Sequence, residues 1–165
     1  MAKKVVIIGA GSGYDMIRDY EKDKSYEIWC VPTIYPVLES HRVDKVFEVH
    51  PQQKWKSGID YSAIGNKLVL TTSNPATPKA TIMSVDSLQR KYGTAFSSSI
   101  AWMLGYALSE GAKEIVFLGV DMEGGYSNQR DGLFFLLGFA KAAKVNIVIP
   151  KTSKINIFGR SYGWV

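Results

Sequence analysis

The sequence predicts a three-layered α/β fold with a mainly parallel sheet of about six strands. Short runs rich in β-branched residues recur along the chain, and segments with a helical spacing of apolar residues lie between them. This alternation is typical of β-α-β units around a parallel sheet. The runs are apolar throughout, which indicates strands that are covered on both faces. We expect residues 1–165 to form one domain.

Each predicted strand ends at a residue that favours a turn. The first run ends in glycines, the second precedes Pro32, the third precedes Pro51, and the last two end at Gly119 and Pro150. Glycine and proline commonly end strands in this way. The six predicted strands are residues 5–8, 26–31, 45–49, 67–71, 114–118 and 145–149.

Three helices are predicted between the strands. Residues 14–20 give a short and weak pattern, whereas residues 98–110 and 128–143 carry leucine, methionine and alanine at helical spacing. Gly105 and Gly138 interrupt these two helices, and such glycines usually permit close packing against a sheet. Residues 73–93 contain two X-Pro pairs and several hydroxyl residues, so we expect a loop there, with an extra strand at 81–85 as the alternative.

Composition indicates a globular protein, and its net charge is compatible with an anionic partner. Of the 165 residues, 46% are hydrophobic and 21% are charged, and the net charge is +5. This charge suits an anionic ligand or merely a solvated basic surface, and the scattered Lys and Arg residues disfavour nucleic acid. The lone cysteine, Cys30, excludes a disulfide within the chain, and neither a signal-peptide pattern nor a membrane span is recognisable. We therefore expect a cytoplasmic protein.

A glycine-rich turn, Gly9-Ala10-Gly11-Ser12-Gly13, follows the first predicted strand directly. Glycines there allow a phosphate to approach the backbone, and free amides at the following helix would favour its charge. The alternative is a purely structural turn. Dinucleotide binding of the NAD type is disfavoured, because Tyr14 takes the place of the third fingerprint glycine and the second strand ends without an acidic residue.

Two side chains at the end of the third predicted strand are candidates for binding or proton transfer. Glu48 and His50 alternate with Val49, so they share one face at the carboxyl edge of the sheet, which borders the ligand crevice in open α/β sheets. They could bind a ribose or a base, or move a proton. An ordinary surface pair beside a turn is the alternative.

Hydroxyl residues precede the strongest predicted helix, namely Thr94, Ser97, Ser98 and Ser99. A serine at this point commonly serves as an N-cap, and several hydroxyls with free amides also form a phosphate cradle. The two roles are compatible, and the sequence leaves both open.

The fifth predicted strand leads to Asp121, and the last helix opens with Asn128, Gln129 and Arg130. Asp121 could bind ribose hydroxyls, coordinate a metal through water, or cap a loop. Arg130 could form a bidentate pair with a phosphate, although a solvent-exposed arginine is the commoner case. With two histidines and one cysteine a transition-metal site is disfavoured, and no phosphate loop, nucleophile elbow or zinc motif is present.

Three stretches resemble known proteins in the same order along the chain. They begin at Gly93-Thr-Ala-Phe-Ser-Ser-Ser, Glu110-Gly-Ala-Lys-Glu-Ile-Val and Tyr126-Ser-Asn-Gln-Arg. They look like small phage-encoded Rossmann-like proteins, which are similar to the MptE-like 6-hydroxymethylpterin diphosphokinase group and, remotely, to bacterial CMP-dependent sialyltransferases. The resemblance implies a nucleotide-binding Rossmann variant, with Gly9, Gly11, Ser97, Ser98 and Asp121 on the ligand side.

Two functions are compatible with these features. The first is capture of a phosphate-bearing, nucleotide-derived small molecule, which in a phage setting would sequester a host defence signal. The second is a small transferase that moves a glycosyl or diphosphoryl group from a nucleotide donor, with Asp121, Glu48 or His50 assisting.

Two further expectations concern binding and assembly. We expect that Gly11→Val abolishes binding but leaves folding cooperative. We also expect a homo-oligomer, most simply a dimer, formed partly by the apolar segment 155–165.

Overall fold

The architecture was obtained as a computed structural model that describes residues 2–156. Seven strands form one parallel sheet in the order β5-β4-β3-β2-β1-β6-β7. This is a Rossmann-like α/β fold, as predicted, with one strand more than expected. The strands are β1 (Lys4–Ile8), β2 (Tyr26–Cys30), β3 (Lys45–Glu48), β4 (Leu68–Leu70), β5 (Thr81–Ile82), β6 (Glu114–Leu118) and β7 (Asn146–Val148).

The direction of the crossovers places the helices on two faces of the sheet. From β1 to β5 the chain moves steadily towards one edge, and from β6 to β7 it moves towards the other. Right-handed crossovers that move in opposite directions lie on opposite faces. The long helices therefore share one face, with α3 (Ser99–Ser109) against β1 and β3, α4 (Arg130–Ala142) against β7, and α2 (Val85–Tyr92) against α3.

The opposite face carries short helices. The 3-10 helix Tyr14–Asp19 contacts β6, and α1 (Tyr61–Ile64) and the 3-10 helices Tyr35–Leu38 and Gly65–Lys67 lie in the connections between β2 and β4. The first predicted helix, at 14–20, is thus a 3-10 helix. Gly13 precedes it in the left-handed conformation (φ 85°), so no regular α-helical turn starts there.

The helix α2 corrects the prediction of a loop over residues 73–93. Ser84 caps this helix by accepting a hydrogen bond from the amide of Ser87, and Leu88 and Tyr92 are buried one turn apart. The apolar stripe of α2 is narrow and lies among charged residues, so the spacing of apolar residues did not indicate a helix. The extra strand is present but ends at Ile82, because the chain turns into the helix cap.

The last predicted helix starts later than expected. A 3-10 helix, Gly124–Gln129, precedes α4, so Asn128 lies in the 3-10 segment. Gly105 of α3 permits close packing, since a Cβ atom there would lie 2.4 Å from the ring of Phe96. Gly138 of α4 is exposed and faces open space, so the packing expected for it is not found.

The core is continuous on both faces of the sheet. Residues 5–8 of β1 and 115–118 of β6 are fully buried, which agrees with strands covered on both sides. Trp29, Phe47 and Tyr106 pack together with ring centroids 5.0 to 5.7 Å apart, and they join β2 and β3 to α3. This packing holds the C-terminal half of α3, where Tyr106 lies, against β2 and β3.

Candidate functional site

A cavity of about 350 Å³ opens at the carboxyl ends of β1 and β6. The chain leaves β1 towards one edge of the sheet and leaves β6 towards the other, so these strands flank the topological switch point, where ligands bind in open α/β folds. The lining residues are Gly9, Ala10, Gly11, Val31, Thr33, Ser98, Ser99, Ile100, Gly119, Val120, Asp121, Met122, Glu123, Tyr126 and Gln129.

The glycine-rich turn packs against the turn that follows β6. The amide of Gly9 donates to the carbonyl of Leu118 (2.9 Å), and the amide of Gly11 donates to the carbonyl of Gly119 (2.7 Å). A Cβ atom would lie 2.5 Å from the Gly119 oxygen if added to Gly9, and 2.8 Å from it if added to Gly11. Gly119 itself has φ +60°, a conformation that strains other residues.

The glycines therefore serve first to let two turns interlock. Since the amides of Gly9 and Gly11 donate to protein carbonyls, the phosphate cradle predicted at this turn is not formed by them. Gly13 lies outside the cavity lining and begins a 3-10 helix of six residues. The structural role that the sequence left open is the one that these contacts support.

Asp121 joins both turns at the wall of the cavity. Its Oδ2 accepts hydrogen bonds from the amide (3.2 Å) and the hydroxyl (2.9 Å) of Ser12, and its Oδ1 accepts one from the amide of Lys154 (3.2 Å). A carboxylate has room for about four such bonds, so acceptor capacity is left for a ligand hydroxyl. Its negative charge disfavours a phosphate beside Ser12, which itself lies outside the lining.

The N-terminus of α3 supplies the donors that the glycine turn lacks. Ser98 is the N-cap, and its Oγ accepts a hydrogen bond from the amide of Ala101 (3.1 Å). The amides of Ser99 and Ile100 stand at the first two helical positions, where no intrahelical acceptor exists, and both residues line the cavity. With the partial positive charge of the helix end, this is the anion-favouring side of the cavity.

The other predicted hydroxyl residues lie outside the cavity lining. Ser97 donates through its Oγ to the carbonyl of Gln129 (2.8 Å) and so ties the start of α3 to the start of α4. Thr94 is exposed. Of the four predicted hydroxyl residues, Ser98 is therefore the cap and Ser99 has its amide at the cavity. Ser97 connects the starts of α3 and α4, and Thr94 has no contact with the cavity.

The predicted residues at the start of α4 are placed differently from the expectation. Arg130 donates through Nη2 to the carbonyl of Lys154 (2.9 Å), so its guanidinium holds the chain after β7, and Asn128 is exposed outside the lining. Gln129, between them, lines the cavity. Hydrophobic spacing does not reveal the helical phase at a junction between a 3-10 helix and an α-helix, so it could not distinguish among these three neighbours.

The charge of the cavity wall limits the ligand. Asp121 and Glu123 are the charged lining residues, and no Lys or Arg of the described chain lines it. Lys154 lies near the rim, with its Nζ 4.0 Å from Glu123. Amides rather than cations would therefore meet an anion, which suits a singly or doubly charged phosphate more than a polyphosphate.

Glu48 and His50 lie in a second cavity, of about 270 Å³, at the ends of β3 and β4. The expectation that they share the first crevice is thus not met. Glu48 is buried, and its carboxylate is bonded to both the amide (2.9 Å) and the Nδ1 (2.7 Å) of His50. The remaining lining residues are Pro51, Gln52, Gln53, Trp55, Leu70, Thr71, Thr72, Ser73, Asn74 and Pro75.

Tyr61 supports the buried carboxylate from α1. Its hydroxyl donates to Oε2 of Glu48 (2.9 Å) and accepts from the amide of Lys56 (3.1 Å). Burial, together with the hydrogen bond to Glu48, raises the pKa of Tyr61 to about 12. Tyr61 therefore stays a hydrogen-bond donor over the whole physiological range.

Residues 2–156 contain no group of three or more His, Cys, Asp or Glu side chains that could hold a metal ion. Cys30 is buried, and this burial raises the pKa of its thiol. No helix within the same range is long and apolar enough to cross a membrane.

Comparison with known proteins finds likeness only at the level of structure. No protein-family model matches the chain, and no curated protein matches it significantly. The chain is similar to the sialyltransferase CstII from Campylobacter jejuni in complex with the substrate analogue CMP-3FNeuAc, with 13% identity, a TM-score of 0.45, and 89% of this chain and 80% of that chain covered. A structure of CstII with cytidine-5'-monophosphate gives the same identity and TM-score, with 89% and 79% covered.

Proposed function

We propose that the protein binds a phosphate-bearing, nucleotide-derived small molecule in the cavity at the ends of β1 and β6. The observation that carries the proposal is the pairing of two chemically opposite groups in that cavity. The amides of Ser99 and Ile100 favour an anion, and the carboxylate of Asp121 accepts hydrogen bonds from hydroxyls. A nucleotide presents a phosphate and ribose hydroxyls, so it complements both groups.

The remaining lining suits the base and limits the charge of the ligand. Apolar side chains line much of the wall, and the exposed ring of Tyr126 lies at the rim, where a base can stack. A volume of about 350 Å³ is at the lower end of the range usual for small-molecule sites, on the order of 300–1,000 Å³. We therefore propose a nucleoside monophosphate or phosphodiester unit rather than a triphosphate. The apolar lining residues are Val31, Ile100, Val120 and Met122.

Capture, not turnover, is the activity that we propose. Within the described chain, no His, Cys or Lys lines this cavity. Asp121 already accepts three hydrogen bonds, and Glu123 is exposed to water. A general acid or base must lie within hydrogen-bond reach of the proton that moves, and the carboxylate of Asp121 is already engaged by its three donors.

The finer role comes from the sequence resemblance alone. Likeness to small phage-encoded Rossmann-like proteins and to the MptE-like group suggests sequestration of a host nucleotide signal as a counter-defence activity. Transfer of a glycosyl or diphosphoryl group is the second candidate, in which the carboxylate of Asp121 would accept the proton of the attacking hydroxyl.

Titration calorimetry with a panel of nucleoside monophosphates, cyclic dinucleotides, linear dinucleotides and nucleotide sugars tests the proposal, with inorganic phosphate as the fragment control. We expect one class to bind at least tenfold more tightly than phosphate. Asp121→Asn should weaken that binding by about tenfold or more, since a charge-assisted hydrogen bond contributes about 1.5–3 kcal/mol. A panel without any binder would refute the proposal.

Chromatography of the same mixtures separates capture from transfer. Recovery of the ligand unchanged after prolonged incubation supports capture. Steady multiple turnover that is lost in Asp121→Asn would establish the transferase instead. Mass spectrometry of any small molecule released when the purified protein is denatured identifies the physiological ligand directly.

A further inference from the structure

We propose that the cavity at the ends of β3 and β4 is a second ligand site, in which His50 accepts a hydrogen bond from an uncharged ring that bears hydroxyl or amide groups. This inference goes beyond the proposed nucleotide site and does not depend on it, because the two cavities share no lining residue.

The imidazole of His50 is oriented by the carboxylate of Glu48. Glu48 has 5% of its side chain exposed, whereas the imidazole of His50 has 55% exposed. The carboxylate of Glu48 accepts from the His50 amide, from Tyr61 and, at 2.7 Å, from His50 Nδ1 when that nitrogen carries the proton. Because the His50 amide and the Tyr61 hydroxyl both donate to this carboxylate, it acts as an acceptor towards His50 as well and favours the Nδ1–H tautomer. The neutral imidazole then presents Nε2 as an acceptor.

The other histidine, His41, makes a similar pair but is much less exposed than His50. His41 also pairs through Nδ1 with a carboxylate, that of Glu21 (2.9 Å), but only 16% of its side chain is exposed. It lines neither of the two cavities described above. The imidazole of His41 is thus largely shielded from solvent, whereas that of His50 faces a cavity. The exposed position, rather than the pairing alone, distinguishes a binding role from a structural one.

The wall of this cavity is polar but almost uncharged. Besides Glu48 and His50, the lining has no titratable or charged side chain, and amides, hydroxyls and an indole predominate. The ring of Trp55 is held against Tyr61 with centroids 4.4 Å apart, and its Nε1 donates to the carbonyl of His50 (3.0 Å). A rigid aromatic wall beside amide groups suits a planar or ring-shaped neutral ligand.

The side-chain amide of Asn74 has a hydrogen-bond donor that residues 2–156 leave unsatisfied. Asn74 lines the same cavity, and its Oδ1 accepts a hydrogen bond from the amide of Ala76 (2.9 Å). Its Nδ2 is buried and has no hydrogen-bond partner within the described residues. A buried amide donor without a partner is unusual in a folded protein, and a ligand acceptor would satisfy it once the Asn74 side chain turned towards the cavity.

Nucleosides and monosaccharides both have the required chemistry, so both serve as probes. Uridine and adenosine represent the first source, and methyl β-D-galactoside and N-acetylglucosamine represent the second. Long-range ¹H–¹⁵N NMR spectra of the intact protein resolve its two histidines and report the tautomer of each. The spectra are recorded with and without each probe.

We expect His50 to be the Nδ1–H tautomer and a probe to shift His50 but not His41. Response to nucleosides only, to sugars only, or to both identifies the source and supports the site. An Nε2–H tautomer or no response to any probe would overturn it.

Variants separate this site from the nucleotide site. His50→Phe should abolish probe binding and leave nucleotide binding in the first cavity unchanged. Glu48→Gln should change the His50 tautomer, and since Glu48 is buried, the exposed His50→Asn provides a second variant whose folding is not at risk. Loss of probe binding in Ser98→Ala but not in His50→Phe would place the probe in the first cavity and refute the second site.

Discussion

The carboxylate of Asp121 accepts two hydrogen bonds from Ser12, one from its amide and one from its hydroxyl, across a sequence separation of 109 residues. These bonds connect the turn after β1 to the turn after β6, the two strands that flank the topological switch point. The contact between Ser12 and Asp121 therefore both joins the two turns and positions the wall of the candidate site. Changes at either residue should affect both stability and binding.

A double-mutant cycle measures this connection. Ser12→Ala and Asp121→Asn should show a coupling free energy of about 1–2 kcal/mol in urea unfolding, because the shared bonds are charge-assisted. Ser12→Ala with Glu123→Gln is the control pair, since the exposed Glu123 pairs with Lys154 rather than with Ser12; these effects should add within about 0.5 kcal/mol. Additivity in the first pair would contradict the role assigned to the contact.

Gly11→Val should destabilise the fold rather than abolish binding alone. The structure changes the earlier expectation, because the added Cβ would lie 2.8 Å from both the Gly119 oxygen and the Asp121 carboxylate. We expect a loss of about 1–3 kcal/mol or more. Gly138→Ala is the control: it adds a methyl group in open space on a helix and should raise stability by about 0.5–1 kcal/mol. Thermal or urea unfolding decides the comparison.

Two serine caps separate stability from ligand binding. Ser98 caps α3 at the cavity and Ser84 caps α2 away from it. Replacement of either by alanine should lower the free energy of unfolding by about 1 kcal/mol. Only Ser98→Ala should weaken nucleotide binding, by several-fold, because it loosens the amides of Ser99 and Ile100. Equal binding by the two variants would show that the α3 terminus does not hold the phosphate.

Stability should fall in acid through Glu27. Burial alone would raise the pKa of this carboxyl, but hydrogen bonds from Lys45, Trp29 and Lys3 outweigh burial and lower the pKa to about 2 from 4.5. The unfolded chain thus binds the proton first, so the stabilisation is complete above pH 4.5 and is lost as the pH falls towards 2.

Glu27 is partly exposed, so we expect this stabilisation to be about 1–2 kcal/mol after solvent screening. Urea unfolding of the native protein and of Glu27→Gln at several pH values tests it. The variant should be less stable at pH 7 and should lose less stability below pH 4.5. Parallel curves for the two proteins would exclude Glu27 as the titrating group.

The predicted homodimer falls mostly on residues outside the described chain. Residues 157–165 carry most of the apolar segment on which the prediction rests, whereas Ile155 is fully buried in the core described here. A chain that ends at Asn156 keeps this core and is therefore a better truncation than one ending at Lys154. Light scattering should give a dimer for the intact protein and a monomer for the truncated one. A monodisperse intact monomer at micromolar concentration would refute the prediction.

The strands were predictable because their signal is local. Uninterrupted β-branched runs bounded by glycine or proline have few alternatives to a buried parallel strand, and all six predicted strands are present. Helix α2 was missed because its apolar stripe comprises little more than Leu88 and Tyr92 among charged residues. The shift at α4 and the 3-10 form of residues 14–19 reflect short-range hydrogen bonding that hydrophobic spacing does not encode.

The candidate site shows where local information ends. The sequence alone placed Gly9, Gly11, Ser98, Ser99 and Asp121 at the carboxyl edge, because residues that follow parallel strands or precede their helices must lie there. Tertiary contacts decided what each residue does: Asp121 meets Ser12, Arg130 binds the carbonyl of Lys154, and Glu48 and His50 face another cavity. Strand order and side-chain direction set these contacts, and both arise only when distant segments pack together.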